Sequence, residues 1–340
     1  MTDLSQGAGR REFLWAVSAG TLGSALAGRS YAAGSKPIRG LFPIGETPVT
    51  ESDKLDLECL QNEVKFCNRY KVHGFAWPQK ASGWSALSEK ERMDGAEAIL
   101  AAGKGGTTAI VIGVQDKEEN VDKSIAYAKH AARNGADAII SLPPEKADDK
   151  AMIEYYKTIG QATDLPLIVQ SQGDMSVDLI VEIWKQVPTL RCVKDEAGNP
   201  LLRVTEIRRR TNDKLAVFSG NGVRTMIDEM RLGFLGHCPT VELSDFFAAA
   251  FDLWHAGKRR EAFDMFGRIQ AFSSITGSHD YLMVVRGVFK ETTKTRRGSF
   301  AGAPPAGGSG GRRPAGPLDE ATKQAVRDAW DQFMKPYLRG

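Results

Sequence analysis

The feature that most constrains this chain is an alternation that starts near residue 38 and continues to about residue 257. Short apolar runs occur at 38–44 (IRGLFPI), 73–78 (HGFAWP), 107–113 (TTAIVIG), 136–143 (ADAIISLP), 166–171 (PLIVQS), 191–195 (RCVKD), 215–220 (LAVFSG) and 233–238 (GFLGHC). Between them lie stretches with helical periodicity. Leu57, Leu60, Val64 and Cys67 form one apolar face, and Val121, Ile125, Ala128 and Ala132 form another. Ser88 with Glu91 makes a capping box, and Asp116 with Glu119 reads as a second one whose helix closes at Gly135. Ser244 opens a helix that carries Phe247, Ala250, Phe251 and Trp254 and ends at Gly257. Strands alternating with helices make parallel βαβ units, and eight such units are the number that closes a barrel. The fold class read from residues 34–257 is therefore α/β, a (β/α)8 TIM barrel. The rival, a doubly wound open sheet, lacks support because nothing after the first strand resembles GxGxxG.

Beyond residue 258 the pattern is purely helical, over 259–275, 280–291 and 318–334, which predicts a C-terminal helical appendage spanning 258–340. Within it, residues 301–317 (AGAPPAGGSGGRRPAGP) are nearly all Gly, Pro, Ala and Arg. Such a stretch cannot bury enough apolar surface to order itself and is expected to be a mobile loop.

The first 33 residues differ in kind. Arg10 and Arg11 precede a mild apolar run from Trp15 to Ala27, and "RSYAAG" offers small residues suited to cleavage soon after Ala32. A charged start, a short apolar run and a small-residue site make an export signal, too short and glycine-rich for a stable membrane span. The paired arginines before Phe-Leu resemble the twin-arginine type, which carries folded proteins, so residues 1–33 are expected to be removed and the remainder to be periplasmic or secreted. The net charge of +3 is small and its Lys and Arg are dispersed, which argues against nucleic acid as a partner. The cluster Arg208 to Arg210 reads as a solvated helix face. Of the four cysteines, Cys59 and Cys67 lie on one predicted helix, roughly 12 Å apart at helical rise and too far to bridge. All four read as core or interface thiols, and no Cys/His spacing suits a metal.

In a barrel of this kind chemistry sits at the C-terminal ends of the strands. The sixth run ends in "VKDEAGNP", with Lys194 beside Asp195 and Glu196. Strand alternation puts Lys194 on the same face as Cys192, so if Cys192 lies inside the barrel the amine does too. At an ordinary pKa only about one lysine in 2,500 is neutral at pH 7. Desolvation in the barrel mouth is expected to lower that pKa and make the amine nucleophilic, able to form a Schiff base with a carbonyl substrate. The plainer readings are a solvated strand-end lysine or half of an ion pair with Asp195.

Along nearly the whole mature chain the sequence resembles the dihydrodipicolinate synthase / N-acetylneuraminate lyase family of class I aldolases. "VKDEAGNP" looks like that family's Schiff-base motif, "FSGNG" at 218–222 like its seventh-strand turn, and "ALSEKER" at 86–92 like its helix entry after the second strand. The step Pro317-Leu318 before the last helix fits as well. The resemblance implies a cofactor-free, metal-free lyase, either aldolase or dehydratase, acting on a 2-oxo acid or related carbonyl compound through Lys194. It also implies a homo-oligomer, dimer or tetramer.

Two departures stand out. Where the family binds a carboxylate through a GTTGE-like loop, this chain has Gln79-Lys80-Ala81-Ser82-Gly83. The family's tyrosine turns after the fourth and fifth strands appear as Leu142-Pro143-Pro144 and Gln170-Ser171-Gln172-Gly173. Another group must then move protons, and Lys80, Glu196 and His237 are the candidates beside Lys194, with Asp195 behind them. Lys80, Ser82, Ser219 and Asn221 are candidate substrate contacts. Trp77 and Trp84 flank the second-strand loop and could wall an apolar substrate. His73, His130 and His255 fall away from the mouth. The alternative to a lyase is a non-catalytic carbonyl- or sugar-acid-binding barrel that has lost the tyrosine relay. A metal-dependent barrel lyase is disfavoured by the absence of a His/carboxylate cluster at the strand ends.

Overall fold

The computed structural model describes residues 36–275, 279–296 and 318–338. The export-signal reading of residues 1–33 and the loop reading of 301–317 fall outside them.

Eight parallel strands form the barrel: Gly40–Leu41, Gly74–Trp77, Ala109–Gly113, Ala138–Ser141, Leu167–Ser171, Leu190–Asp195, Ala216–Ser219 and Gly236–His237. Seven of the eight fall inside the apolar runs read from sequence, and the sixth begins one residue before its run, at Leu190. From the second to the eighth each pairs in parallel with its neighbour in chain order, and the first pairs with the last, Leu41 opposite His237. The ring is closed between the first two strands by backbone bonds from Gly45 N to Ala76 O (3.0 Å) and from Ala76 N to Pro43 O (3.0 Å). Ile44 bridges to both Ala76 and Thr240.

Alternation sorts the apolar side chains into two cores. Ile44, Ala76, Val111, Ile140, Ile168, Cys192, Phe218 and Cys238 fill the barrel interior, with the rings of Phe42 and Phe218 5.2 Å apart. Phe75, Ile112, Ile139, Val169, Val193 and Val217 point outward and pack beneath the surrounding helices.

The helices begin as their caps dictate. Ser88 and Glu91 form the reciprocal capping box expected of them. The helix Val121–Arg133 is capped instead by Asn120, which accepts from the amides of Asp122 and Lys123, while Asp116 accepts from Glu118 and Asn120 in the preceding turn. The expectation at Asp116 fails because two side chains compete to organise the same turn, and the nearer one caps. Cys59 and Cys67 lie on one helix, Leu57–Arg69, and all four cysteines are buried free thiols. Arg208, Arg209 and Arg210 sit in the last turn of the helix Pro200–Thr211, paired with Asp213, Glu206 and Asp178.

The C-terminal helices Arg259–Ile275, His279–Val285 and Glu320–Ala329 pack on the barrel. The middle one stops well short of residue 291, because Gly287 adopts a left-handed backbone (φ 70°). The chain then runs on to Lys294–Thr295, which pairs antiparallel with Pro48–Val49 of the first barrel loop. Arg286 holds this region to the barrel. Its guanidinium makes a bidentate pair with Asp245 (2.9 and 2.7 Å), donates to Glu242 O (2.6 Å) and lies over Trp330 and Phe66. Arg286→Ala strips a buried carboxylate of its partner, and the expected cost is about 3–5 kcal/mol, read as a lower urea midpoint. An unchanged midpoint would show that the clamp is idle. Among the described residues no helix is long and apolar enough to cross a membrane.

Candidate active site at the barrel mouth

The sixth strand carries the site. Cys192 belongs to the barrel interior and Val193 to the outer core, so Lys194 points inward above Cys192. In register it stands between Gln170 of the fifth strand and Phe218 of the seventh. The residue is 4% exposed, and its side chain lines a cavity of about 280 Å³. Glu196, two residues on and on the same face, also enters this cavity. Its Oε1 lies 2.9 Å from Lys194 Nζ. The other carboxyl oxygen accepts from Gln170 Nε2 (2.6 Å) and Gln172 Nε2 (3.3 Å).

The turn that brings Glu196 back over Lys194 is pinned by Ser171. Its hydroxyl donates to Asp195 and accepts from the amides of Glu196 (3.1 Å) and Ala197 (3.3 Å). Asp195 itself faces outward, fully buried, and is held by Arg203 (3.0 and 3.2 Å). The ion pair at the mouth is therefore Lys194–Glu196 and not Lys194–Asp195.

The electrostatics correct one expectation. Burial pulls the Lys194 pKa down, as the sequence reading assumed, but the Glu196 carboxylate outweighs it and holds the amine above its ordinary value. The resting amine is an ammonium with an acceptor already in contact. Burial pushes the Cys238 thiol of the same cavity up to about 12, so it stays protonated and inert.

The candidates from sequence divide cleanly. Lys80 lines the cavity with Lys194 and Glu196, its side chain at the exposed rim. Ser82 is buried, donating to Gly45 O (2.6 Å) and accepting from Gln79 N (3.0 Å), so its hydroxyl braces the loop. Ser219 and His237 lie on the outward faces of their strands, because Phe218 and Cys238 take the inward places. Ser219 donates to Glu229 Oε1 (2.8 Å), and His237 donates from Nδ1 to Glu229 Oε2 (2.8 Å). Thr225 completes the set on Glu229. Burial would raise the pKa of Glu229, but these partners, His237 foremost, hold it below the usual carboxylate range. His237→Phe is expected to destabilise the fold by about 2–3 kcal/mol through this orphaned carboxylate. A calorimetric Tm equal to that of the parent would refute the structural role.

Asn221 is exposed, and only its backbone N–H, donating to Ser219 Oγ, is engaged. Neither Trp77, fully buried with Nε1 donating to Thr47, nor Trp84 walls the cavity. The walls are Ile44, Ala81, Val223, Leu243 and Phe247, with Glu242 and Thr240 as polar members and Ser273 contributed by the C-terminal helix Arg259–Ile275. Gln170, Gln172 and Ser171 were not singled out as site residues. Their signal was positional, since they sit at the end of the strand adjacent to Lys194. Among the described residues no three His, Cys, Asp or Glu side chains group as metal ligands would.

A parallel barrel whose mouth holds a buried amine against a carboxylate is the frame of the class I, Schiff-base lyases. Within that class the assignment is specific: the profile of the Dihydrodipicolinate synthetase family matches residues 37–289, and the chain belongs to that family. A 4-hydroxy-tetrahydrodipicolinate synthase of Methanosarcina mazei is 29% identical over 198 residues, a match covering 56% of this chain and 65% of that relative. The chain thus spans just under two thirds of the length of that relative. Among solved structures, a putative dihydrodipicolinate synthetase from Pseudomonas aeruginosa aligns with a TM-score of 0.69 at 19% identity, covering 87% of this chain and 99% of the other. N-acetylneuraminate lyase from Mycoplasma synoviae aligns with a TM-score of 0.70 at 18% identity, covering 88% and 98%. These structures share the fold.

Proposed function

We propose that this protein is a cofactor-free lyase that condenses Lys194 with a 2-oxo acid or related small carbonyl compound, in an aldolase or dehydratase reaction. The observation that carries the reading is the 2.9 Å contact between Lys194 and Glu196 inside a cavity at the barrel mouth. Glu196 accepts a proton from the ammonium, and the freed amine attacks the carbonyl carbon. Glu196 returns that proton to the carbonyl oxygen as the C–N bond forms. A second proton passes from nitrogen to oxygen through the same carboxyl, and water departs. The iminium keeps the third nitrogen proton and acts as an electron sink. In an aldolase the Cα–Cβ pair flows into it as the β-hydroxyl gives up its proton and becomes a carbonyl. In a dehydratase loss of a Cα proton gives an enamine that expels the protonated β-hydroxyl as water.

Glu196 thereby takes the place of the family's tyrosine relay, whose fifth-strand position holds Gln170. Lys80 at the rim is the cation placed to meet a substrate carboxylate. A cavity of about 280 Å³ suits a compound at the small end of the ligand range. The twin arginines of the first residues support export in folded form, so we place the reaction outside the cytoplasm.

Borohydride reduction with a panel of 2-oxo acids, followed by peptide mass spectrometry, tests the proposal. A reduced adduct on Lys194 is expected. Binding of such compounds with no adduct from any carbonyl would favour the second reading, a binding barrel, which the altered tyrosine positions support.

A further inference from the structure

We infer that Gly220 is a positioning residue for Glu196: by lacking a side chain it leaves the slot through which the carboxyl reaches Lys194. The inference rests on the reading of Glu196 as the proton carrier. Gly220 follows the seventh strand, whose Ser219 pairs in register with Asp195, so its Cα abuts the turn that carries Glu196. Its backbone is not in the left-handed region, so no conformational demand calls for glycine there. The demand is spatial. A Cβ at this position would lie 2.0 Å from Glu196 Oε1, 2.4 Å from Cγ and 2.5 Å from Cδ, far inside contact distance.

Gly222, two residues on and also at the cavity, shows the opposite requirement. Its φ is 63°, and a Cβ there would meet open space. The two glycines of "SGNG" therefore serve different ends, one to turn the chain and one to admit a carboxyl. On its far side the same carboxyl is held by Gln170 and Gln172 through Oε2. A methyl at 220 thus displaces Oε1, the oxygen that touches the amine. The amine would stay buried without its counter-charge.

The test uses the full chain and a probe independent of the natural substrate. Lys194 is methylated with formaldehyde and cyanoborohydride across a pH series, and the labelled peptide is quantified by mass spectrometry. Gly220→Ala is expected to lower the pH of half-maximal labelling by about one unit or more, because burial then acts unopposed. Glu196→Ala should lower it similarly, and adding Gly220→Ala to Glu196→Ala should move it no further. An unchanged midpoint for Gly220→Ala, or a full extra shift in the double variant, overturns the inference. If Gly220→Ala alone folds too poorly to label, Glu196→Ala should restore its urea midpoint by vacating the slot, and failure to restore it overturns the inference equally. A parent protein that labels with formaldehyde but gives no adduct with any 2-oxo acid defeats the proposed function and leaves this assignment standing.

Discussion

Lys194→Ala is expected to abolish every borohydride-trapped adduct and to slow lyase turnover by roughly 10⁴-fold or more, the scale on which loss of a covalent nucleophile acts. The argument is one of supply. Lys194 is the amine buried inside the barrel mouth and in contact with a carboxylate, whereas Lys80 is exposed at the rim and forms no ion pair among the described residues. Lys194→Arg separates chemistry from architecture. Its guanidinium can still pair with Glu196, so the fold should hold, yet it stays protonated at any usable pH and cannot attack a carbonyl. Both variants should therefore be inert to trapping, and the arginine variant the more stable of the two. An adduct recovered at full yield from Lys194→Ala would assign the chemistry to another nitrogen.

Glu196→Gln is the second large effect, and its two consequences pull in opposite directions. Removing the acceptor takes away the group proposed to carry protons between nitrogen and oxygen, so imine formation should slow by about 10²–10⁴-fold at its optimum. The same change removes the negative charge that holds the Lys194 pKa up, while burial, which lowers it, remains. The rising limb of the pH–rate profile, which reports the free amine, should accordingly move to lower pH, by about one unit or more. A slower reaction with an earlier limb is the signature. A slower reaction with an unmoved limb would mean that the carboxylate does not govern the amine, and the proton-carrier role would fall.

The barrel was legible because its signals repeat: eight apolar runs, each followed by a helical stretch, with capping residues such as Ser88 and Glu91 where helices begin. Lys194 and Glu196 were legible for a related reason, since residues two apart on a strand share a face and Cys192 anchors that face inside. His237 and Ser219 show where this logic runs out. In a parallel barrel both faces of a strand are apolar, one toward the interior and one toward the helices, so hydrophobicity alone does not say which parity faces in. Phe218 and Cys238 settle the matter only once the strands are closed. Ser82 was hidden differently. A hydroxyl in a loop reads as a donor to substrate until the fold reveals Gly45 O within reach. The sign of the Lys194 shift was out of reach because desolvation follows from depth in the barrel, whereas the opposing charge depends on a turn pinned by Ser171.

The placement of Ser273 on the cavity wall makes the C-terminal helices more than ballast. The sixth strand and the turn after it supply the amine and the carboxylate of the proposed chemistry, while a segment from outside the ring supplies part of the enclosure. Reactivity and selectivity are therefore written in separable stretches of polypeptide. Grafting a different helix at 259–275 would change which molecules are admitted and leave the bond-making machinery as it stands.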